Sequence, residues 1–174
     1  MAVPSAKMLV LADGDCAWVK ILGRANFTYG PDLKALLTGL AEKGYGRFII
    51  DLSECALMDS TLLGILVGFG LKMTQNGAPD RRNVELLNPN SRIADLLENL
   101  GALHLFKVTH STPAMPEGAQ AQVPASVSPT REQIARTCLE AHQSLMAMNP
   151  NNVARFKDVT RFLAEDLKNL EKRP

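Results

Sequence analysis

The sequence predicts an α/β fold: a mixed, mostly parallel β-sheet flanked by α-helices, with a two-helix extension at the C-terminus. Three observations predict it. Short apolar segments alternate with amphipathic ones between residues 8 and 108, in the order β-β-α-β-α-β-α-β. Such alternation is typical of a parallel sheet with helices packed on it. Residues 113–127 are rich in Pro, Ala and Gln. Residues 128–174 hold two more helical patterns, so we expect a domain over 1–112, a flexible linker over 113–127 and a helical hairpin over 128–174.

The predicted strands are short apolar segments bounded by turn residues. They cover residues 8–12, 16–22, 47–52, 84–87 and 105–108. The first two are joined by the turn Asp13-Gly14-Asp15, and Gly23 is placed to end the second. Residues 47–52 have an unbroken apolar centre, which indicates burial on both faces of the sheet.

The helices that alternate with these strands have recognisable ends. Pro31 starts the first helix and Gly44 ends it, with leucines at helical spacing between them. The second helix runs from Ser60 to Met73. The third is capped by Asn90 or Ser91.

The C-terminal hairpin is predicted from a capping box and an apolar stripe. Thr130 and Gln133 are spaced to cap the first of its helices reciprocally. The second helix starts near Asn151-Asn152 and carries a stripe made of Val153, Phe156, Val159, Leu163, Leu167 and Leu170. Two helices cannot bury such a stripe alone, so the hairpin must pack on the main domain, on a second subunit or on a partner.

Composition excludes several classes of protein. The 174 residues carry 19 Lys and Arg against 18 Asp and Glu, so there is no overall electrostatic attraction to nucleic acid. Cys16, Cys55 and Cys138 are scattered, which argues against a disulfide framework or a zinc site and favours reduced thiols. We find no signal peptide and no apolar run long enough to span a membrane. A cytoplasmic protein without metal or cofactor is expected.

The pair Asp59-Ser60 is the most specific local feature. It follows a buried strand and a short loop, and it opens an apolar helix. A serine at this position is first of all a helix N-cap, and Asp59 beside it favours the positive end of the helix dipole. The same position is also where a phosphate is readily held, which makes Ser60 a candidate switch.

The helix that follows is apolar nearly all round, so it is buried on every side or covers its outer face with a partner. Gly64 and Gly68 lie on one of its faces, and we interpret them as sites of close packing on the sheet.

Residues 8–112 resemble the STAS domain, found in anti-sigma factor antagonists and at the cytoplasmic ends of sulfate transporters. The matching segments are Ile21-Leu22-Gly23, Ile49-Ile50-Asp51-Leu52-Ser53, Met58-Asp59-Ser60-Thr61, Leu63-Gly64-Ile65-Leu66, Leu87-Asn88-Pro89, and Leu96-Leu97 to Gly101 with Leu105-Phe106. Two positions depart from the family pattern. Leu62 stands where the family commonly has glycine, and the loop at residues 24–29 lacks a carboxylate.

The resemblance implies an anti-sigma factor antagonist in bacterial partner switching. Its partner would be an anti-sigma factor with serine kinase activity, and phosphorylation at Ser60, or at Thr61 as the second choice, would end binding. The residues expected to contact the partner are Arg24, Asn26, Asp59, Ser60, Thr61, Leu62 and Ile65.

Two alternatives accompany this hypothesis. The first is a non-enzymatic scaffold or oligomerising subunit of a stressosome-like or transporter assembly, with the C-terminal helices as a homodimer surface. The second is a nucleotide hydrolase. The sequence has no phosphate-binding glycine loop and no Gly-x-Ser-x-Gly elbow, and His104, His110 and His142 lack the spacing of ligands or bases. We therefore expect a protein that is not an enzyme.

Overall fold

The computed structural model describes residues 6–76, 83–112 and 121–173. Its strands are β1 (Lys7–Asp13), β2 (Cys16–Ala25), β3 (Arg47–Asp51), β4 (Cys55–Met58), β5 (Val84–Leu87) and β6 (Lys107–Thr109). Its α-helices are α1 (Gly30–Glu42), α2 (Ser60–Asn76), α3 (Ser91–Asn99), α4 (Arg131–Met148) and α5 (Asn152–Glu171). Short 3₁₀ turns cover Phe27–Tyr29 and Leu103–Leu105. Residues 113–120 of the predicted linker lie outside the described residues.

The sheet is mixed and mostly parallel, as predicted. Its strands follow the order β1-β2-β3-β5-β6, and β4 also pairs with β2. The β1–β2 hairpin is antiparallel and every other pair is parallel. Because β2 pairs with β3 through its first half and with β4 through its last residues, the carboxyl ends of β2 and β4 lie side by side.

Three strand predictions were wrong in detail. The last strand begins at Lys107 and not at Leu105, because Leu103–Leu105 form a 3₁₀ turn. Strand β4 was expected to be a loop, since its four residues are too few to show an alternation. Strand β2 does not end at Gly23 but continues to Ala25. Gly23 has a φ of +77°, and the pairing register shifts just after it, so this glycine forms a bulge within the strand.

The prediction that β3 is buried on both faces was also wrong. Phe48 and Ile50 are fully buried, whereas Ile49 between them is only half-buried. The same alternation runs along β2, where Ala17, Val19 and Ile21 are buried. One face of the sheet is therefore covered by the core, and the other is covered only in part.

Helix α2 lies between the sheet and the C-terminal hairpin, which consists of α4 and α5. Helix α4 packs along α2, and α5 packs on α4. The sequence allowed the hairpin to pack on the main domain, on a second subunit or on a partner. In the structure it packs on the main domain. The predicted stripe of α5 is correct for Phe156 and Leu167, which are buried. It is wrong for Val153 and Val159, which are 43% and 38% exposed. The buried face of α5 instead contains Asn152, Phe156 and Thr160, which are spaced four residues apart.

The turn between α4 and α5 is attached to the end of α3. Asn152 is 2% exposed, and its side-chain amide donates to the carbonyls of Leu100 and Leu145. Asn149 donates to the same Leu100 carbonyl at 3.4 Å. Because the last carbonyls of a helix have no partner within it, the hairpin completes the hydrogen bonding of α3.

The segment that enters α4 lies along the main domain. Gln122 exchanges two backbone hydrogen bonds with Val10 of β1. The carboxylate of Asp32 accepts from the Ser126 hydroxyl and from the Val127 amide. Helix α4 then begins with the predicted capping box of Thr130 and Gln133.

Candidate interaction site

The Asp59-Ser60 pair lies at the carboxyl ends of two paired parallel strands. Ala25 of β2 pairs with Met58 of β4, and the Asp59 amide donates to the Ala25 carbonyl. The loop after β2 and the start of α2 are therefore neighbours. The carboxyl ends of parallel strands are where α/β proteins commonly place their binding residues.

Asp59, not Ser60, is the N-cap of α2, which corrects the prediction. Its carboxylate accepts from the Leu62 amide at 3.0 Å, and its carbonyl accepts from the Leu63 amide. The second carboxylate oxygen accepts from the Phe27 amide at 2.6 Å. One side chain thus caps the helix and holds the neighbouring loop against it. Ser60 becomes the first residue of the helix, so its hydroxyl is not used for capping.

The Ser60 hydroxyl instead contacts a histidine of the C-terminal hairpin. Ser60 Oγ lies 3.0 Å from Nε2 of His142, and Nδ1 of His142 lies 2.7 Å from the carbonyl oxygen of Cys138. A carbonyl oxygen only accepts, so Nδ1 carries a proton, and in the tautomer with its single proton there Nε2 accepts from the Ser60 hydroxyl. His142 is 5% exposed, and its ring packs on Phe156 at 5.0 Å between centroids.

The predicted partner-binding residues divide into two groups. Arg24 and Asn26 are exposed, and Asp59 and Ser60 are half-buried. The others lie in the interior, at Thr61, Leu62 and Ile65. Thr61 is 4% exposed, and its hydroxyl lies 3.7 Å from the Cys138 sulfur. In this structure the interior group is out of reach of a partner.

Gly64 and Gly68 of α2 pack on α4 and not on the sheet, contrary to the prediction. A Cβ built on Gly64 would lie 2.5 Å from the Ala141 carbonyl oxygen, and one built on Gly68 would lie 3.0 Å from Ser144 Oγ. At Gly64 the neighbour is backbone, so this position requires a residue without a side chain. Residues 61–67 of α2 are buried, between the core of the main domain and α4.

Two large apolar side chains are exposed beside Ser60. Phe27 is 48% exposed and Leu57 is 38% exposed. Leu57 pairs with Arg24 across β4 and β2, and Phe27 is bonded to Asp59. We call this region the Ser60 surface, made of Arg24, Asn26, Phe27, Leu57, Asp59 and Ser60. It combines apolar contact area with one cation, one carboxylate and one hydroxyl.

Burial governs the chemistry of two thiols in the described residues. It raises the pKa of Cys55 to about 11, and it is also the largest cause that raises the pKa of Cys138. Both thiols are therefore protonated near neutral pH and react slowly while they remain buried.

His142 is the residue at this site that the sequence did not reveal. It lies 82 positions after Ser60. Its buried place in α4 depends on how the hairpin packs, so no local pattern could identify it.

The mixed sheet with flanking helices defines an α/β domain in which the loop after β2 and the start of α2 meet at the carboxyl ends of β2 and β4. The family model of the STAS domain matches residues 10–114, which is more than half of the chain, and the chain belongs to this family.

Known relatives agree with the assignment. The chain is 30% identical over 94 residues to the anti-sigma-B factor antagonist of Staphylococcus aureus (strain NCTC 8325), covering 54% of this chain and 83% of the relative. Its fold is similar to that of the anti-sigma factor antagonist SpoIIAA in its unphosphorylated form, with a TM-score of 0.51 and 14% identity over 60% of this chain and 88% of that one. An anti-sigma factor antagonist from Mycobacterium paratuberculosis gives a TM-score of 0.51 at 16% identity, over 62% and 89% of the two chains. The protein is thus a STAS domain protein that resembles anti-sigma factor antagonists, and none of the described helices could span a bilayer.

Proposed function

We propose that this protein is an anti-sigma factor antagonist of the bacterial cytoplasm, which binds an anti-sigma factor with serine kinase activity through the Ser60 surface. The observation that carries the proposal is the position of Ser60. Its hydroxyl lies at the first residue of a capped helix, beside exposed Phe27 and Leu57. An exposed apolar patch with a polar surround is typical of a protein–protein contact.

Phosphorylation of Ser60 provides the switch. A phosphoserine adds about −1.5 to −2 charge at pH 7. At the start of α2 this charge is favoured by the helix dipole, so the domain tolerates it. In a complex the phosphate would lose water beside the carboxylate of Asp59. A penalty of about 2.7 kcal/mol weakens binding about a hundredfold, which is enough to separate the partners.

Ser60 is preferred over Thr61 as the modified residue. Thr61 is 4% exposed and its hydroxyl faces Cys138. Ser60 is only half-buried, as is Asp59 before it. A kinase active site therefore reaches Ser60 with less rearrangement of the chain.

The test is to isolate the protein from its native cells, in growth and in stress, and to map its phosphopeptides and its co-purifying partner. We expect phosphate on Ser60 at an occupancy that changes between the conditions, and a kinase-type anti-sigma factor bound to the unmodified form. Phosphate found on neither Ser60 nor Thr61 in any condition would contradict the switch.

A second candidate function is that of a scaffold, favoured by the outer face of α5. Phe162 is 61% exposed there, and Val159 lies one turn before it. This role predicts a stable homodimer or larger assembly by light scattering, which the substitution Phe162→Ser dissociates. A monomer at all concentrations argues for the antagonist alone.

A further inference from the structure

The C-terminal hairpin covers the side of α2 that begins at Ser60. We call the interface between α2 and α4 the seam. Along it, residues of α4 face residues of α2 at successive helical turns. The facing pairs are Cys138 with Thr61, His142 with Ser60, Ala141 with Gly64, and Ser144 with Gly68. Helix α4 therefore covers Thr61 and holds the Ser60 hydroxyl, and Ile65 lines the groove between α1, α2 and α4.

The seam differs between its two ends. At the Ser60 end α4 contributes the small side chains of Cys138 and Ala141, which bury little apolar area each. A groove of about 510 Å³ between α1, α2 and α4 begins at Gly64 and continues along α2 to Met73, away from Ser60. At the other end Leu145 is fully buried, and Asn152 is bonded to the Leu100 carbonyl. The Ser60 end of α4 is attached to the main domain by exposed polar contacts, those of Asp32 with Ser126 and Val127 and the Lys34–Glu140 ion pair. Exposed contacts of this kind contribute less to stability than the buried contacts near the α4–α5 turn.

We propose that the C-terminal hairpin is a displaceable cover that lifts from α2 at the Ser60 end, so that the full docking face is presented only in an open form. The turn at Asn149–Asn152 acts as the hinge, and the Ser60–His142 hydrogen bond closes the cover. Opening also separates the ion pair of Lys34 and Glu140, which joins α1 to α4, and the hydrogen bonds that Asp32 accepts from Ser126 and Val127.

The proposal deepens the proposed function and rests on it for its biological meaning. A partner that contacts Thr61 and Ile65 as well as Ser60 must bind the open form. Its apparent affinity is then reduced by the fraction of molecules that are open. The cover therefore lowers the apparent affinity for the partner below the affinity that the STAS domain alone would have.

Two buried cysteines make the opening measurable in the intact protein without a partner. Cys138 lies in the seam, and Cys55 lies in the core of the main domain. Alkylation by iodoacetamide, with the sites resolved by peptide mass spectrometry, reports both exposure events at once. We expect Cys138 to react at least about tenfold faster than Cys55, because local opening precedes global unfolding. Equal rates would mean that α4 leaves only when the domain unfolds, and would overturn the proposal.

A glycine substitution opens the cover selectively. In Gly64→Ala the new methyl group meets the backbone of Ala141, which cannot move without shifting α4. We expect Cys138 to react at least about tenfold faster than in the unmodified chain, with little change at Cys55. Gly39→Ala is the matched control, because a Cβ at this helical position meets nothing within 4 Å. A parallel rise at both cysteines in Gly64→Ala argues for general destabilisation and against a separate cover.

A reversible disulfide can close the cover without touching Ser60. A Cβ built on Gly68 lies 3.6 Å from Cβ of Ser144, within the range of disulfides. The oxidised double variant Gly68→Cys and Ser144→Cys should bind the co-purified partner at least about tenfold more weakly than the same protein reduced. Equal affinities of the oxidised and reduced forms would show that α4 does not mask the docking face, and would overturn the proposal. If no partner is recovered, the proposed function fails, while the alkylation rates still decide whether the cover opens.

Discussion

Ser60→Asp is expected to weaken binding to the anti-sigma partner about a hundredfold or more. The new carboxylate would lie at the first residue of α2, next to Asp59, in a place that a complex deprives of water. Ser60→Ala should retain binding, since it removes the hydroxyl without adding charge. The measurement is the Kd for the purified partner by titration calorimetry.

The control for this prediction uses a second helix with the same local geometry. Ser91 is the first residue of α3 and follows the cap Asn90, as Ser60 follows Asp59. Ser91→Asp therefore adds the same charge at an equivalent helix position that is not part of the Ser60 surface. Binding at full strength by Ser60→Asp, or equal losses in Ser60→Asp and Ser91→Asp, would contradict a switch located at Ser60.

Asp59→Ala is expected to lower the free energy of unfolding by about 2 kcal/mol. The substitution removes the cap of the Leu62 amide and the acceptor of the Phe27 amide together. Asp59→Asn should lose about half as much, because its single carbonyl oxygen can keep the cap but not both bonds. Urea unfolding followed by circular dichroism gives these values.

The exposed carboxylate of Asp95 on α3 provides the comparison for Asp59. Asp95→Ala is expected to change stability by less than about 0.5 kcal/mol, as is usual for surface positions. A similar loss of unfolding free energy in Asp59→Ala and Asp95→Ala would show that the link between α2 and the loop after β2 contributes little to stability. Partner binding should fall with Asp59→Ala as well, because Phe27 would no longer be held beside Ser60.

The parts of the fold that depend on neighbouring residues could be predicted from the sequence. The capping box of Thr130 and Gln133, the cap at Asn90 and the helix that begins at Ser60 are local patterns, and the structure has each of them. The resemblance to the STAS family rests on similar short segments and is confirmed by the family match.

The parts of the fold that depend on contacts between distant residues could not be predicted from the sequence. An apolar helix such as α2 is compatible with burial by a sheet, a partner or another helix, and its sequence does not distinguish them. The glycines at 64 and 68 indicate a close neighbour without identifying it as α4. The choice between Ser60 and Asp59 as the cap failed for a related reason. Both residue types cap helices, and only the pairing of β4 with β2 places Asp59 in the right position.

The attachment of the hairpin to α3 has a consequence for synthesis on the ribosome. The Leu100 carbonyl at the end of α3 receives its side-chain donors from residues about fifty positions later, at 149 and 152. Domains emerge and fold from the N-terminus, so the STAS portion leaves the exit tunnel before either donor has been made. During that interval the nascent chain displays Gly64, Ile65 and the uncovered Ser60 to chaperones and to any partner already present. Folding of the last helices therefore ends a period in which the newborn protein exposes more of the proposed docking face than the finished protein does.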